Sequence, residues 1–129
     1  RLCSKLEQDI AVLSANEKEI FLKEYNLSEP GLYKLIHAAF KLLGLETFFT
    51  GGPKQVRSWT IKKGTIAPEA AGEIHTDFQR GFIKAEVFKY NDLVRLGSEK
   101  AVKDAGLAKL QGKDYVVQDG DCIYFHFNV

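Results

Sequence analysis

Apolar positions recur at helical spacing through the first third of the chain. Leu6, Ile10 and Leu13 stand on one face of a predicted first helix. Ser14 and Glu17 then have the spacing of a capping box, in which the hydroxyl and the carboxylate each satisfy an amide of the first turn. A short second helix follows, and Asn26 is predicted to end it.

A third helix is predicted after the stretch "SEPG". Ser28 can cap its first turn and Pro30 is tolerated there, because proline lacks the amide that a first turn leaves unpaired. Gly44 is predicted to end it. The inner stripe of this helix contains Leu32, Leu35, Ile36, Ala39 and Leu43.

After Gly44 the apolar period changes toward two. "LETFFT" and "QVRSWTI" are predicted strands, and "GGPK" between them is a turn, so the two form a hairpin. Pro68 then opens a helix whose apolar positions include Ala71, Ile74 and Phe78.

The remainder predicts strands separated by short helices. "FIKAEVF" alternates as a half-buried strand does, and two short helical turns follow it, with Ser98 as a cap and Gly106 as a stop. "DYVVQDGDCIYFHFNV" predicts a hairpin around Asp119 and Gly120. Its last strand directs Ile123, Phe125, Phe127 and Val129 to one side, and Cys122, Tyr124, His126 and Asn128 to the other.

The predicted order from residue 45 is β-β-α-β, two short helices, then β-β. The fold class is therefore α+β: a helical N-terminal arm, then a β-grasp domain whose mixed sheet is crossed by one helix.

Composition excludes several classes of function. The 129 residues are 45% hydrophobic and 27% charged, as in a globular protein, and the formal net charge is +1. Nucleic-acid binding would therefore need a local basic patch, and we expect no DNA partner. Cys3 and Cys122 lie far apart and match no metal spacing. No apolar run or signal peptide indicates a membrane. The chain begins abruptly at Arg1, without methionine, which suggests a fragment of a longer protein.

The run His75, Thr76 and Asp77 is the one place where catalytic residue types are adjacent. Consecutive helical residues point about 100° apart and cannot converge on one substrate atom. We therefore expect a structural role, in which His75 interacts with the carbonyl end of the helix and Gly81 provides a positive φ before the next strand. No P-loop, G-x-S-x-G, H-E-x-x-H or C-x-x-C motif occurs.

Two long stretches carry a family resemblance. "FFTGGPKQVRSWTIKKGTIAPEAAGEIHTDFQRGFIKAEV" and "GKDYVVQDGDCIYFHFNV" resemble the C-terminal part of the Obg-like, YchF-type ATPases. The resemblance implies that residues 45–128 form a TGS domain, a ubiquitin-like β-grasp. Residues 1–24 would then be the truncated C-terminal tail of a P-loop G domain, and residues 25–44 a connecting helix.

The resemblance also implies an activity for the intact protein. It would bind and hydrolyse ATP with Mg²⁺, and GTP less well, and would act at ribosomes in the cytoplasm. By position, Cys3, Ser4 and Lys5 would contact the nucleotide base. The P-loop itself is missing here, so we expect the 129 residues to be non-catalytic and to hold no cofactor. We also expect residues 1–5 to be poorly ordered, since they resemble a strand without its neighbours.

Two hypotheses of function follow. In the first, the chain is an interaction module that contacts ribosomal RNA, ribosomal protein or tRNA, because cations beside aromatic rings suit single-stranded RNA. In the second, its sheet packs on the protein's own G domain and controls nucleotide access. Trp59 separates them, since a buried Trp59 is core and an exposed one marks an interface. The candidate partner-binding residues are Lys54, Arg57, Lys62, Lys63, Lys84, Tyr124 and His126.

Overall fold

The computed structural model describes residues 3–52 and 55–128. The chain divides into two compact units, Arg1–Leu43 and Gly44–Val129. Among the helices within those ranges, none has the length and apolar character needed to cross a bilayer.

The first unit is helical, as the spacing of its apolar residues predicts. The Glu17 carboxylate accepts hydrogen bonds from the amide (2.8 Å) and the hydroxyl (2.6 Å) of Ser14, so the predicted capping pair is present. These two bonds hold the pKa of Glu17 below its usual value. Asn26, with φ 53°, follows the second helix, as predicted. The helices are α1 (Ser4–Ala11), α2 (Ala15–Glu24) and α3 (Gly31–Leu43).

The first backbone amides of α3 donate hydrogen bonds to a side chain that is far away in sequence. The Glu7 carboxylate on α1 accepts from the amides of Gly31 (2.8 Å) and Leu32 (3.1 Å), where we expected Ser28 to act. The prediction of an unpaired strand at residues 1–5 is wrong for Ser4 and Lys5, which form the first turn of α1. The part of that prediction that concerns residues 1–2 lies outside the described residues.

The second unit is built on a five-stranded mixed sheet in the order β2-β1-β5-β3-β4. The parallel pair is β1 with β5, and the other neighbours are antiparallel. This is the sheet of the β-grasp that the sequence predicts. The strands are β1 (Leu45–Gly51), β2 (Val56–Lys62), β3 (Phe82–Lys89), β4 (Lys109–Gln111) and β5 (Asp121–Phe127).

Four helices accompany the sheet: α4 (Ala67–Ile74), α5 (Thr76–Arg80), α6 (Tyr90–Leu96) and α7 (Glu99–Asp104). Successive strand residues point to opposite faces, and both faces bury apolar side chains. The first face packs Phe48, Ile123 and Phe125 against Ala67, Ala70 and Ala71 of α4. The second face packs Phe88 and Cys122 against Val102 of α7. The second face, which can be open in a β-grasp sheet, is therefore partly covered here.

The predicted single helix from Pro68 through Phe78 is in fact two helices, α4 and α5. His75 is extended (φ −162°, ψ 141°), so it ends α4 and begins α5. Its Nδ1 accepts a hydrogen bond from the amide of Asp77 at 3.1 Å. His75 is therefore the N-terminal cap of α5, and not a partner for the last carbonyls of α4.

Gly81 has an ordinary negative φ of −92°, not the positive φ we expected. The reason for glycine is a close approach. A Cβ at this position would lie 2.1 Å from the carbonyl oxygen of Asn128.

The predicted hairpin around Asp119 and Gly120 is also wrong. Residues 115–118 form no strand beside β5, because their backbone bonds elsewhere: Tyr115 O accepts from Ala67 N, and Val117 N donates to Thr65 O. The short β4 pairs with β3 at the edge of the sheet, not with β5.

Candidate functional site

A cavity of about 590 Å³ lies on the second face of the sheet, beside the area that α6 and α7 cover. We call it the open-face cavity. Cys122, Tyr124 and His126 of β5 line it in alternation, with Phe49 and Gly51 of neighbouring β1. Because strand side chains alternate, the three β5 residues necessarily share this face.

Tyr124 is the exposed aromatic side chain of the cavity. It is 57% exposed, and its ring makes an edge contact with His126, with centroids 5.0 Å apart. Both residues lie where the sequence pattern predicts, opposite the buried Ile123 and Phe125. Lys84 is the cross-strand partner of His126, so three of the predicted partner-binding residues come together here.

Charged side chains from α7 and β3 form the adjoining wall. The Lys103 ammonium donates to the Glu86 carboxylate at 2.8 Å, and this bond raises the pKa of Lys103. Glu86 is the cross-strand partner of Tyr124, so the ion pair lies directly beside the exposed ring. Glu99, one helical turn before Lys103, also lines the cavity.

The deepest part of the cavity reaches a buried thiol. Cys122 is 6% exposed, and burial raises its pKa to about 11, with a smaller contribution from neighbouring Asp121. A thiol with a raised pKa is protonated at neutral pH and is a poor nucleophile. Cys122 therefore serves packing rather than chemistry.

Beneath the start of β5, a buried carboxylate organises the strand. Asp121 is fully buried and accepts from Tyr115 Oη (2.7 Å), Gln118 N (2.9 Å) and Lys89 Nζ (2.5 Å). Burial, then the bond to Asp121, raises the pKa of Tyr115. This network fixes the strand that carries Tyr124 and His126, and the sequence pattern did not indicate it.

The other predicted partner-binding residues lie elsewhere. Arg57 shares the first face with Trp59, by strand alternation. Lys62 pairs with Leu45 at the far end of the hairpin, roughly 25 Å along the strand direction from His126, and Lys63 follows it. Lys54 lies outside the described residues. The six predicted partner-binding residues that the structure describes thus occupy three separate places.

Trp59 behaves as core. It is partly buried, packs against the first-face cluster, and its Nε1 donates to Thr50 Oγ1 at 2.9 Å. Cys3 precedes α1, and Ser4 and Lys5 form its exposed first turn. In residues 3–52 and 55–128, no cluster of three or more His, Cys, Asp or Glu side chains could hold a metal ion.

Three residues of the site were not predicted from the sequence: Glu86, Glu99 and Lys103. Alternation along β3 does place Glu86 on the face of Lys84, so that signal was available. For Glu99 and Lys103 no comparable signal exists, since nothing in the sequence says which face α7 covers.

Comparisons with known proteins fit this architecture. Residues 45–128 match the YchF-GTPase_C family, described as "Protein of unknown function (DUF933)". The chain is 54% identical over 128 residues to the ribosome-binding ATPase YchF of Bacillus subtilis, covering 99% of the chain and 35% of that protein. It is 55% identical over 123 residues to human Obg-like ATPase 1, covering 95% and 31% respectively.

A solved structure agrees with these relatives. The YchF GTPase of Schizosaccharomyces pombe superposes with a TM-score of 0.82 at 37% identity, over 97% of this chain and 33% of that one. The chain therefore spans about a third of the length of the curated relatives it matches.

Proposed function

The chain belongs to the YchF-type, Obg-like ATPase family, and from that membership we propose that it is the interaction module of a ribosome-binding ATPase. Residues 45–128 would be the TGS domain, residues 1–24 the tail of the G domain and residues 25–44 the connection between them. The module docks on the ribosome in the cytoplasm through the second face of its sheet, where it contacts RNA or protein.

One observation carries this proposal: the open-face cavity with its exposed Tyr124. An exposed tyrosine ring beside Lys84 and His126 is suited to a partner, because tyrosine is common at the centre of interfaces. The Bacillus subtilis relative is named a ribosome-binding ATPase, which supports the ribosome as the partner in this proposal.

ATP hydrolysis belongs, in this proposal, to the part of the relatives' length that the chain does not span. The described residues offer no cluster for Mg²⁺, and Cys3, Ser4 and Lys5 stand on an exposed helical turn without a phosphate-binding loop. These three residues would complete a base site only when the remainder of the G domain is present.

Co-sedimentation of the 129-residue chain with purified ribosomes tests the proposal. We expect binding that weakens as salt rises, and weaker binding for Tyr124→Ala and His126→Ala, since both side chains line the cavity. Lys113→Ala is the control, since Lys113 is exposed on a loop and does not line the cavity. Failure of the chain to pellet with ribosomes, or equal binding by all three variants, would contradict docking through this face.

A second candidate function is intramolecular regulation by packing on the G domain. It is favoured by α3, which buries none of its residues although it carries an apolar stripe. Leu42 is 87% exposed and Leu43 66%, so a further apolar surface is expected to cover this helix in the whole protein. If open-face variants bind ribosomes normally but change nucleotide exchange in the intact protein, this second function replaces the first.

A further inference from the structure

The side chains around the open-face cavity are not all used by the fold. Glu86 is neutralised by Lys103. Glu99 is exposed, and within residues 3–52 and 55–128 its carboxylate has neither an ion pair nor a hydrogen bond that the structure records. Tyr124 makes a ring contact with His126 and is otherwise open to solvent. Among the described residues, one carboxylate without a direct ion pair and one exposed aromatic ring are therefore available to a partner, although Glu99 is near enough to Lys103 to help raise the pKa of that ammonium.

These two groups face the same space. The parallel register, with Phe49 beside Cys122, places Gly51 level with Tyr124 on the adjacent strand. A Cβ on Gly51 would lie 3.1 Å from Glu99 Oε1, so the carboxylate extends over the backbone next to the tyrosine. The ring thus has the Glu86–Lys103 pair on one side and the Glu99 carboxylate on the other.

An aromatic face beside a free carboxylate is suited to a cation. A guanidinium stacks on a tyrosine ring and at the same time donates two hydrogen bonds to a carboxylate. The cavity lining carries two carboxylates, Glu86 and Glu99, against one ammonium, Lys103. This charge disfavours a phosphate group at the same place and favours a basic side chain.

We propose that the open-face cavity binds an arginine side chain from a basic segment of a ribosomal protein, seated between Tyr124 and Glu99. The identity of the partner rests on the proposed function, whereas the recognition of arginine rests on the cavity alone. The volume of about 590 Å³ accommodates one arginine and parts of its neighbours, not a folded element.

A peptide titration tests the arginine site without ribosomes. The probe is a capped pentapeptide with a central arginine flanked by glycines, and the matched control peptide has citrulline, which is uncharged and nearly isosteric. In NMR spectra of the 129-residue chain, the amide resonances of Gly51, Glu99 and Tyr124 should shift when the arginine peptide is added and should not shift with the citrulline peptide. Equal shifts with citrulline, no shifts with either peptide, or stronger shifts with an oligouridine would overturn the proposal.

Variants of the chain make the test specific. Glu99→Gln and Tyr124→Leu should each weaken peptide binding about five-fold, the scale of one exposed cation–aromatic or ionic contact. Asp104→Asn is the control, because Asp104 lies on the same helix but does not line the cavity. Both test residues are exposed, so folding should survive, and the unchanged remainder of each spectrum verifies it. Equal binding by Glu99→Gln and Asp104→Asn would overturn the site.

Photo-crosslinking from position 56 to ribosomes identifies the partner, because Val56 lines the cavity and is exposed. With p-benzoylphenylalanine in place of Val56, cross-links should form to a protein segment that contains arginine, and Glu99→Gln should reduce their yield several-fold. Cross-links to RNA instead would overturn the ribosomal-protein partner. If the chain does not pellet with ribosomes but binds the arginine peptide, the proposed function fails and the arginine site stands. If the chain pellets with ribosomes but does not bind the arginine peptide, the proposed function stands and the arginine site fails.

Discussion

The hydroxyl of Tyr115 donates a hydrogen bond to the fully buried carboxylate of Asp121 at 2.7 Å, and the two residues hold the entry to β5. Lys89 and the amide of Gln118 complete the set of donors to this carboxylate. The position of Tyr124 and His126 depends on that strand, so the buried network connects the stability of the domain to the geometry of its open-face cavity.

Removal of the buried carboxylate should destabilise the second unit strongly. Asp121→Ala leaves the Tyr115 hydroxyl and the Gln118 amide without an acceptor, and we expect a loss of about 2–4 kcal/mol in unfolding free energy. Tyr115→Phe should lose about 1 kcal/mol, the scale of one hydrogen bond. Urea denaturation measures both. Asp114→Ala, at an exposed loop position, is the control, and a loss as large for Asp114→Ala as for Asp121→Ala would contradict the role of the network.

Stability should fall at alkaline pH. The folded state raises the pKa of Cys122 from 9.0 to about 11 and raises that of Tyr115 above its ordinary 10.0, so it holds both protons more tightly than the unfolded chain. Their contribution is complete below pH 9 and is lost as pH rises through 11 and beyond.

Between pH 9 and 11, the free energy of unfolding of Cys122→Ala should fall by about 1–2 kcal/mol less than that of the unaltered chain. This difference is smaller than the full pKa shift would give, because the thiol borders the cavity and solvent screens its charge. Thermal or urea unfolding from pH 7 to 11, scaled to the value at pH 7, measures the profile. Cys3→Ala, at an exposed position, should leave it unchanged. An identical profile for the Cys122 variant would show that this thiol is not desolvated.

His75 should act through its acceptor nitrogen and not through chemistry. His75→Ala removes the cap of α5 and should reduce unfolding free energy by about 1 kcal/mol, whereas His75→Asn keeps a capping acceptor and should be close to neutral. Both variants should pellet with ribosomes like the unaltered chain. Normal stability combined with lost binding would assign His75 to the interface.

Gly81→Ala should be among the most damaging single-methyl changes. The new Cβ would overlap the Asn128 carbonyl, whose residue also donates its amide to Gly81 O at 2.9 Å, so backbone must move. We expect a loss of about 3 kcal/mol or more, at the upper end for overpacking. Gly112→Ala is the matched control, since no atom lies within 4 Å of its Cβ position. A comparable effect at both glycines, measured by urea denaturation, would refute the steric reason.

The 129-residue chain should not hydrolyse ATP or GTP. Phosphate release by the purified chain with Mg²⁺ should stay at the buffer rate, and ATP should bind with a Kd weaker than roughly 10 μM, because a base contact alone cannot offset the entropy of association. Turnover that is abolished by a substitution within the chain would place catalytic residues in it.

Local patterns were sufficient for much of the architecture. The capping pair Ser14 and Glu17 needs only residues three apart, and the stop at Asn26 needs only its own tolerance of positive φ. The same holds for Tyr124 and His126, which lie opposite Ile123 and Phe125 because strand side chains alternate. Each of these features depends on neighbours in the chain, which is why it could be predicted.

Other features failed because a distant group outcompeted the local one. Glu7 caps α3 in place of nearby Ser28. The segment before Asp119 bonds to the backbone of residues 65–67 and, through Gln118, to the Asp121 side chain, and it does not pair with the backbone of β5. An unpaired backbone amide accepts any well-placed partner, and the sequence does not say which partner the fold will deliver.

The sequence by itself determined the class of fold, the faces of its strands and the absence of a recognisable catalytic motif. Only the tertiary structure decided that α7 crosses the second face, that Glu99 extends over Gly51 beside Tyr124, and that Lys62 lies far from His126. Periodicity states which side of an element is apolar, because it follows from backbone geometry. It does not state which two apolar sides meet, since that choice is made by packing between residues far apart in the chain.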